Sequence, residues 1–205
     1  MRRRDLIRLA AVPLLLAATG AGFAQSVDVE AILNDPEAPT AGNPKGDVTI
    51  VAFLDYNCPY CKKSAPDLAR VVKEDGRIRV VYKDWPILTE ASVFGARLAL
   101  GAQYQGRYQL VHDTLMAIPG RGISKDEMLK AVQGSGVDLD RLQADLDAHA
   151  GDIGALIKRN NAQAESLGLQ GTPTYLVGPL LASTLDYASF KRAIAEARRR
   201  QAGGK

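Results

Sequence analysis

Val48-Thr49-Ile50-Val51-Ala52-Phe53-Leu54-Asp55-Tyr56-Asn57-Cys58-Pro59-Tyr60-Cys61 is the stretch on which the reading of this chain turns. Its first seven residues are apolar and largely β-branched, the composition of a buried strand. The run from Lys62 to Glu74 reads as a helix. Leu68, Val71 and Val72 form its core side, Lys62, Lys63, Asp67 and Lys73 its wet face, and Gly76 its end. The only two cysteines of the 205 residues, Cys58 and Cys61, therefore fall where a strand hands over to a helix.

That placement has a chemistry. Residues three apart on a first helical turn have Cβ atoms about 5–6 Å apart, whereas a disulfide wants about 3.5–4.5 Å. The bond closes under some strain, and strained disulfides are readily reduced. Cys58 also meets the unpaired N–H groups and the positive end of the helix dipole. Its thiol is expected to ionise below the free value of about 8.5. Pro59 suits the first helical position, where its missing N–H leaves no gap. These considerations make Cys58 an exposed attacking thiolate and Cys61, a turn further in, the resolving thiol. Together they form a redox-active disulfide, Cys58–Cys61.

Other uses of the pair fit this chain less well. Half a zinc site needs two further ligands, and the chain offers only His112 and His149, neither in a metal-type cluster. No metal ligands are assigned, and no cofactor is called for. A structural disulfide across two residues closes almost no loop and stabilises little. His112 reads as a helix-surface or packing residue.

Around this centre the pattern alternates. Arg77–Asp84 is a second strand, and Thr89–Leu167 is helical throughout, with Ser124-Lys125-Asp126-Glu127 as a capping box. Thr174–Val177 and Leu180–Ala182 read as a third strand and an edge hairpin, and Asp186 caps a last helix with Tyr187, Phe190, Ile194 and Ala197 inward. Upstream, residues 1–24 read as an export signal: Arg2, Arg3 and Arg4, an apolar run from Leu9 to Ala18 too short to span a bilayer, and Gly22-Phe23-Ala24 as a cleavage site. Arg3-Arg4-Asp5-Leu6-Ile7-Arg8 also suits twin-arginine export. Either route leads to the oxidising periplasm, where cysteine pairs are used. The whole chain is +3, but without that leader it holds 22 basic and 22 acidic side chains, which removes the electrostatic case for a nucleic-acid partner. Residues 25–47 form an arm with a short helix near Val27–Leu33, too small to serve as a dimerisation domain, so a monomer is expected.

Cys-Pro-Tyr-Cys between strand and helix, Pro66 five residues later, Gly171-Thr172-Pro173-Thr174 before a late strand, and the lead-in Ala41–Val48 together resemble the thioredoxin-fold thiol–disulfide oxidoreductases. Within these the chain is similar to the DsbA family, in its Com1/ScsC-like branch, over roughly Ile32 to Ala197. The resemblance implies an α/β thioredoxin fold at 48–200 with a central four-stranded sheet, a helical subdomain inserted at about 89–167, and a disordered tail at 201–205. It implies that Pro59, Tyr60, Thr172 and Pro173 contact substrate, with Pro173 cis and facing the disulfide. The implied partners are unfolded or reduced periplasmic proteins and a membrane redox partner that resets the pair. One position departs. Many relatives carry an acid six residues before the first cysteine, and here that residue is Ala52; the nearest acid is Asp55, placed as in the DsbC and DsbG isomerases. Oxidase and isomerase or reductase therefore both stay open, as does a non-enzymatic protein holding Cu(I) on its thiols.

Overall fold

Strand β2, Val48–Leu54, is the middle of the sheet in this computed structural model, which describes residues 27–203. The leader expected at 1–24 and the last two residues lie outside the described part. In chain order the elements are α1 (Val29–Leu33), β1 (Thr40–Gly42), β2, α2 (Pro59–Asp75), β3 (Ile78–Asp84), α3 (Glu90–Gln103), α4 (Tyr108–Ala117), α5 (Lys125–Gly134), α6 (Leu139–Ala148), α7 (Ala150–Ser166), β4 (Thr174–Val177), β5 (Leu180–Ala182) and α8 (Tyr187–Gly203). The strand order is β1-β3-β2-β4-β5. β3 runs parallel to β2, and β1, β4 and β5 run antiparallel to their neighbours.

β2 is covered on both faces, which is why its sequence is apolar without alternation. Val48, Ile50, Ala52 and Leu54 face the larger core, shared with α2, α8 and the helices between β3 and β4. Val51 and Phe53 face a smaller one with Ile32, Val81, Trp85 and Ala164. α3 to α7 all lie between β3 and β4, and the starts of α3, α5 and α6 are capped by Thr89, Ser124 and Asp138, with the capping box of Ser124 and Glu127 formed.

Three details differ from the sequence reading. The sheet has five strands rather than four, because Thr40–Gly42 of the arm pairs antiparallel with β3, Gly42 opposite Arg79. Three residues carry no periodicity to read. The pairing depends on Gly42, whose φ is +73° and where a Cβ would sit 2.3 Å from the carbonyl oxygen of Ile78. Gly42→Ala is expected to destabilise the fold by about 2–4 kcal/mol in urea titration, combining left-handed backbone strain with overpacking against a fixed backbone. Second, the arm is bound to the domain through a buried ion pair, Asp35 to Lys83 at 2.8 Å, which Arg159 of α7 joins at 3.0 Å. Third, α8 continues to Gly203, so residues 201–203 are helix rather than tail. Arg198 holds this helix to Asp47 and Asp75, each at 2.7 Å, and Glu196 pairs with Arg199 and Arg200.

Candidate active site

Cys58 is the N-cap of α2 and Pro59 its first residue. The Cys58 sulfur accepts the backbone N–H of Cys61 at 3.2 Å, the role that a serine or aspartate oxygen fills at an ordinary helix start. Both cysteines are free thiols. On the other side of the sulfur lies the turn before β4. The Thr172–Pro173 bond is cis, and the Cys58 thiol donates to the Thr172 carbonyl at 3.2 Å. The structure thus brings Cys58, Cys61, Thr172 and Pro173 together from segments more than 100 residues apart. Pro59 and Tyr60 stand outside, Tyr60 at 61% exposure. Cys58 itself is only 2% exposed, less open than the sequence reading had it, because the Thr172 turn closes over its sulfur.

The two thiols are pushed in opposite directions. Cys58 is lowered to about 6. The hydrogen bond from the Cys61 thiol is the main cause; burial opposes it, and the Thr172 side chain and the N–H groups of Cys61 and Tyr60 reinforce it. The Thr172 hydroxyl oxygen is buried without a partner among the described residues, so its proton is free to turn to an ionised Cys58. Cys61 is pushed far above the ordinary thiol range, by burial first and then by Cys58. This split gives an acidic nucleophile and a protonated partner.

The three residues before Cys58 hold this loop in place. The Asp55 carboxylate accepts the N–H groups of Asn57 (2.7 Å), Ile87 (2.9 Å) and Leu88 (3.0 Å). Asn57 donates to Thr89 Oγ1 at 2.9 Å and to the Ile123 carbonyl at 3.1 Å, and accepts the Ile123 N–H at 2.7 Å. Tyr56 Oη lies 3.0 Å from His112 Nδ1. His112 is a packing residue, buried among Tyr56, Tyr82 and Tyr108, and burial pushes it down to about 3. Tyr108 donates at 3.1 Å to Asp84, a buried carboxylate that burial raises to about 7. Asn57, His112, Ser64 and Tyr175 were not picked out as site residues. The only sequence signal is for Asn57, in a polar tripeptide between a buried strand and a cysteine, and the partners of that tripeptide's side chains Tyr56 and Asn57 lie 32 to 66 positions away.

Lys62 is not simply on the wet face. It is half-buried and its ammonium donates to the Gly120 carbonyl at 3.3 Å; burial lowers its pKa against the charges of Asp55, Cys58 and Glu127. Lys63 is exposed. Among the described residues no group of three His, Cys, Asp or Glu side chains is placed to hold a metal ion, and no helix is long and apolar enough to cross a membrane.

The family model described as Thioredoxin matches residues 34–196. A thioredoxin-like oxidoreductase from Silicibacter pomeroyi DSS-3 superposes with TM-score 0.77 at 38% identity, covering 83% of this chain and 97% of that one. The thiol-disulfide exchange protein alpha-DsbA2 from Wolbachia pipientis gives 0.76 at 28% identity over 82% and 90%. A probable disulfide bond formation protein D from Bacillus cereus is 25% identical over 163 residues, 75% of each chain. Against other curated relatives the match is partial. The chain spans 27% of the length of a Na(+)/H(+) antiporter, NhaA 3 from Salinispora tropica, at 28% identity over 181 residues and 83% of this chain.

Proposed function

We propose a function from the premise that this chain belongs to the thioredoxin family and is a DsbA-like thiol–disulfide oxidoreductase: it works in the periplasm, as a monomer, exchanging disulfides with unfolded or reduced proteins through Cys58 and Cys61. The observation that carries the reading is the lowered Cys58 thiol at a helix N-cap, with a protonated Cys61 one turn behind it. In the oxidising direction a substrate thiolate attacks Cys58 of the closed pair and Cys61 leaves. A second substrate thiolate then takes the substrate sulfur off Cys58, forming the substrate's disulfide and leaving the dithiol. A membrane redox partner reoxidises that dithiol. A stabilised Cys58 thiolate favours the reduced pair and so makes the closed disulfide a better oxidant. Oxidase is therefore the leading assignment, with a reduction potential toward about −120 mV. Thr172 and Pro173 border the sulfur and Tyr60 stands exposed beside it, which suits all three to contact with a substrate backbone.

One observation favours isomerase as the second reading. With the carboxylate of Asp55 occupied by three N–H groups, Cys61 has no nearby free acid from the loop to take its proton, which lengthens the life of a mixed disulfide.

The test is the rate of iodoacetamide alkylation of the reduced protein against pH. Cys58 is expected to react with a midpoint near 6, the rate half-maximal at that pH and levelling well above it. A midpoint near the free value of about 8.5 would remove the basis of the assignment.

A further inference from the structure

Cys61 passes through a negatively charged state in either direction of exchange, although it is wholly buried. When the pair closes on a mixed disulfide Cys58–S–S–R, Cys61 loses its proton and its sulfur attacks that of Cys58. The Cys58–Cys61 bond forms, the bond to R breaks, and R–S⁻ leaves and takes up the proton. The two electrons given up by the dithiol end on the sulfurs of the substrate. In the reverse direction a substrate thiolate attacks Cys58 and Cys61 departs as the anion. The backbone at Asp55 and the Thr172 side chain favour that charge, but the Asp55 carboxylate, with three N–H groups on its oxygens, does not.

β4 supplies a different group. Tyr175 stands opposite Ala52 in the register, and the small side chain of Ala52 leaves room beside it for the ring. That ring is fully buried and packs edge-on to Phe190, with centroids 5.0 Å apart. Its hydroxyl lies 2.6 Å from Ser64 Oγ, and Ser64, one turn beyond Cys61, reaches the Cys61 carbonyl at 3.3 Å. Either hydroxyl of the pair can be the donor. In one arrangement Ser64 donates to the Cys61 carbonyl and Tyr175 donates to Ser64. In the other Ser64 donates to Tyr175, and the tyrosine proton is released to turn elsewhere. Burial keeps Tyr175 protonated, and charge on Cys61 or Cys58 opposes its ionisation further, so the hydroxyl is within electrostatic reach of both sulfurs and remains a donor.

We propose that Tyr175 is a positioning residue for Cys61, its hydroxyl turning with Ser64 to face the charge that develops on the resolving sulfur. This rests on the thiol-exchange reading above, but holds for oxidase and isomerase alike.

The experiment mixes reduced protein with oxidised glutathione in a stopped-flow instrument and follows closure of the glutathione adduct from pH 5 to 9. Tyr175→Phe keeps the ring and is expected to slow closure about tenfold at pH 7, the scale of one hydrogen bond to a charged group, and to move the midpoint of the closure profile upward. Ser64→Ala should shift it the same way by less, and stands in if Tyr175→Phe does not fold. Closure in both variants at the wild-type rate and midpoint overturns the inference alone. Wild-type protein that forms no glutathione adduct overturns it together with the thiol-exchange reading.

Discussion

Cys58→Ser will abolish disulfide exchange with protein substrates, whereas Cys61→Ser will leave the protein arrested as mixed disulfides. The asymmetry follows from the geometry. Cys58 carries the sulfur held between the helix N-terminus and the Thr172 carbonyl, and its thiol is the one lowered to about 6. A serine hydroxyl there is no nucleophile toward sulfur at neutral pH, so insulin reduction should fall by about 10³-fold or more, the scale of losing a nucleophile. With Cys61→Ser the attacking sulfur remains but nothing releases what it captures. Non-reducing gels of cell extracts should then show covalent adducts that vanish with reductant. Adducts on the Cys58→Ser protein instead would reverse the roles assigned to the two sulfurs. The change also raises the pKa of Cys58 itself, since the Cys61 thiol is the first cause of its low value. The alkylation midpoint of Cys61→Ser is expected above 6, less so if the serine hydroxyl replaces the donor.

The pH dependence of the dithiol form has a definite sign. Cys58 is lower in the folded state than the ordinary 9.0, so the unfolded chain binds more protons between about 6 and 9. The Cys58 contribution to the stability of the reduced protein accordingly rises with pH across that window and is lost as pH falls through 6. Above 9 the raised Cys61 acts in the opposite sense, and the gain stops.

The second large effect lies far from the sulfurs. Asp35→Asn is expected to destabilise the protein by about 3–5 kcal/mol in urea titration at pH 7. Lys83 is 0% exposed, and Asp35 is the anion that the structure gives its ammonium, at 2.8 Å. Replacing that anion leaves a buried cation unpaired beside Arg159, and leaving a buried charge unmatched is the expensive case. The two partners differ in balance. Burial alone would raise Asp35, but hydrogen bonds from Arg159 and Lys83 outweigh it and hold the carboxyl below 3.8, whereas burial lowers Lys83 despite its pair. A lowered carboxyl contributes stability that is present above 3.8 and lost as pH falls through its folded value. The wild type should therefore lose stability below about pH 4, and Asp35→Asn should lack that component of the acid transition. A variant as stable as wild type at pH 7 would mean that the arm is not held by this pair.

Much of the molecule was readable one segment at a time. The strand before Cys58, the proline-led helix after it, the capping box at Ser124 and the late Thr172-Pro173-Thr174 all declare themselves within a few neighbours, because hydrophobic period, cap chemistry and backbone restriction are local properties. The five-stranded sheet was not readable in the same way, since Thr40–Gly42 is a strand only because β3 offers an edge to it. Nor was the partnership of Lys83, which lies in an apolar strand and finds its anion 48 positions earlier.

The sequence by itself determined the proposed reactive centre: two sulfurs at a strand-to-helix junction, one at the helix start and one a turn inside. Tertiary structure alone decided what surrounds them. Asp55 became a loop anchor, Cys58 was closed over by Thr172, and the space beside Ala52 went to Tyr175. The physical reason is range. A helix dipole and a cap act within one turn of the chain, whereas burial and the pairing of buried polar groups depend on segments that only the packed fold brings together.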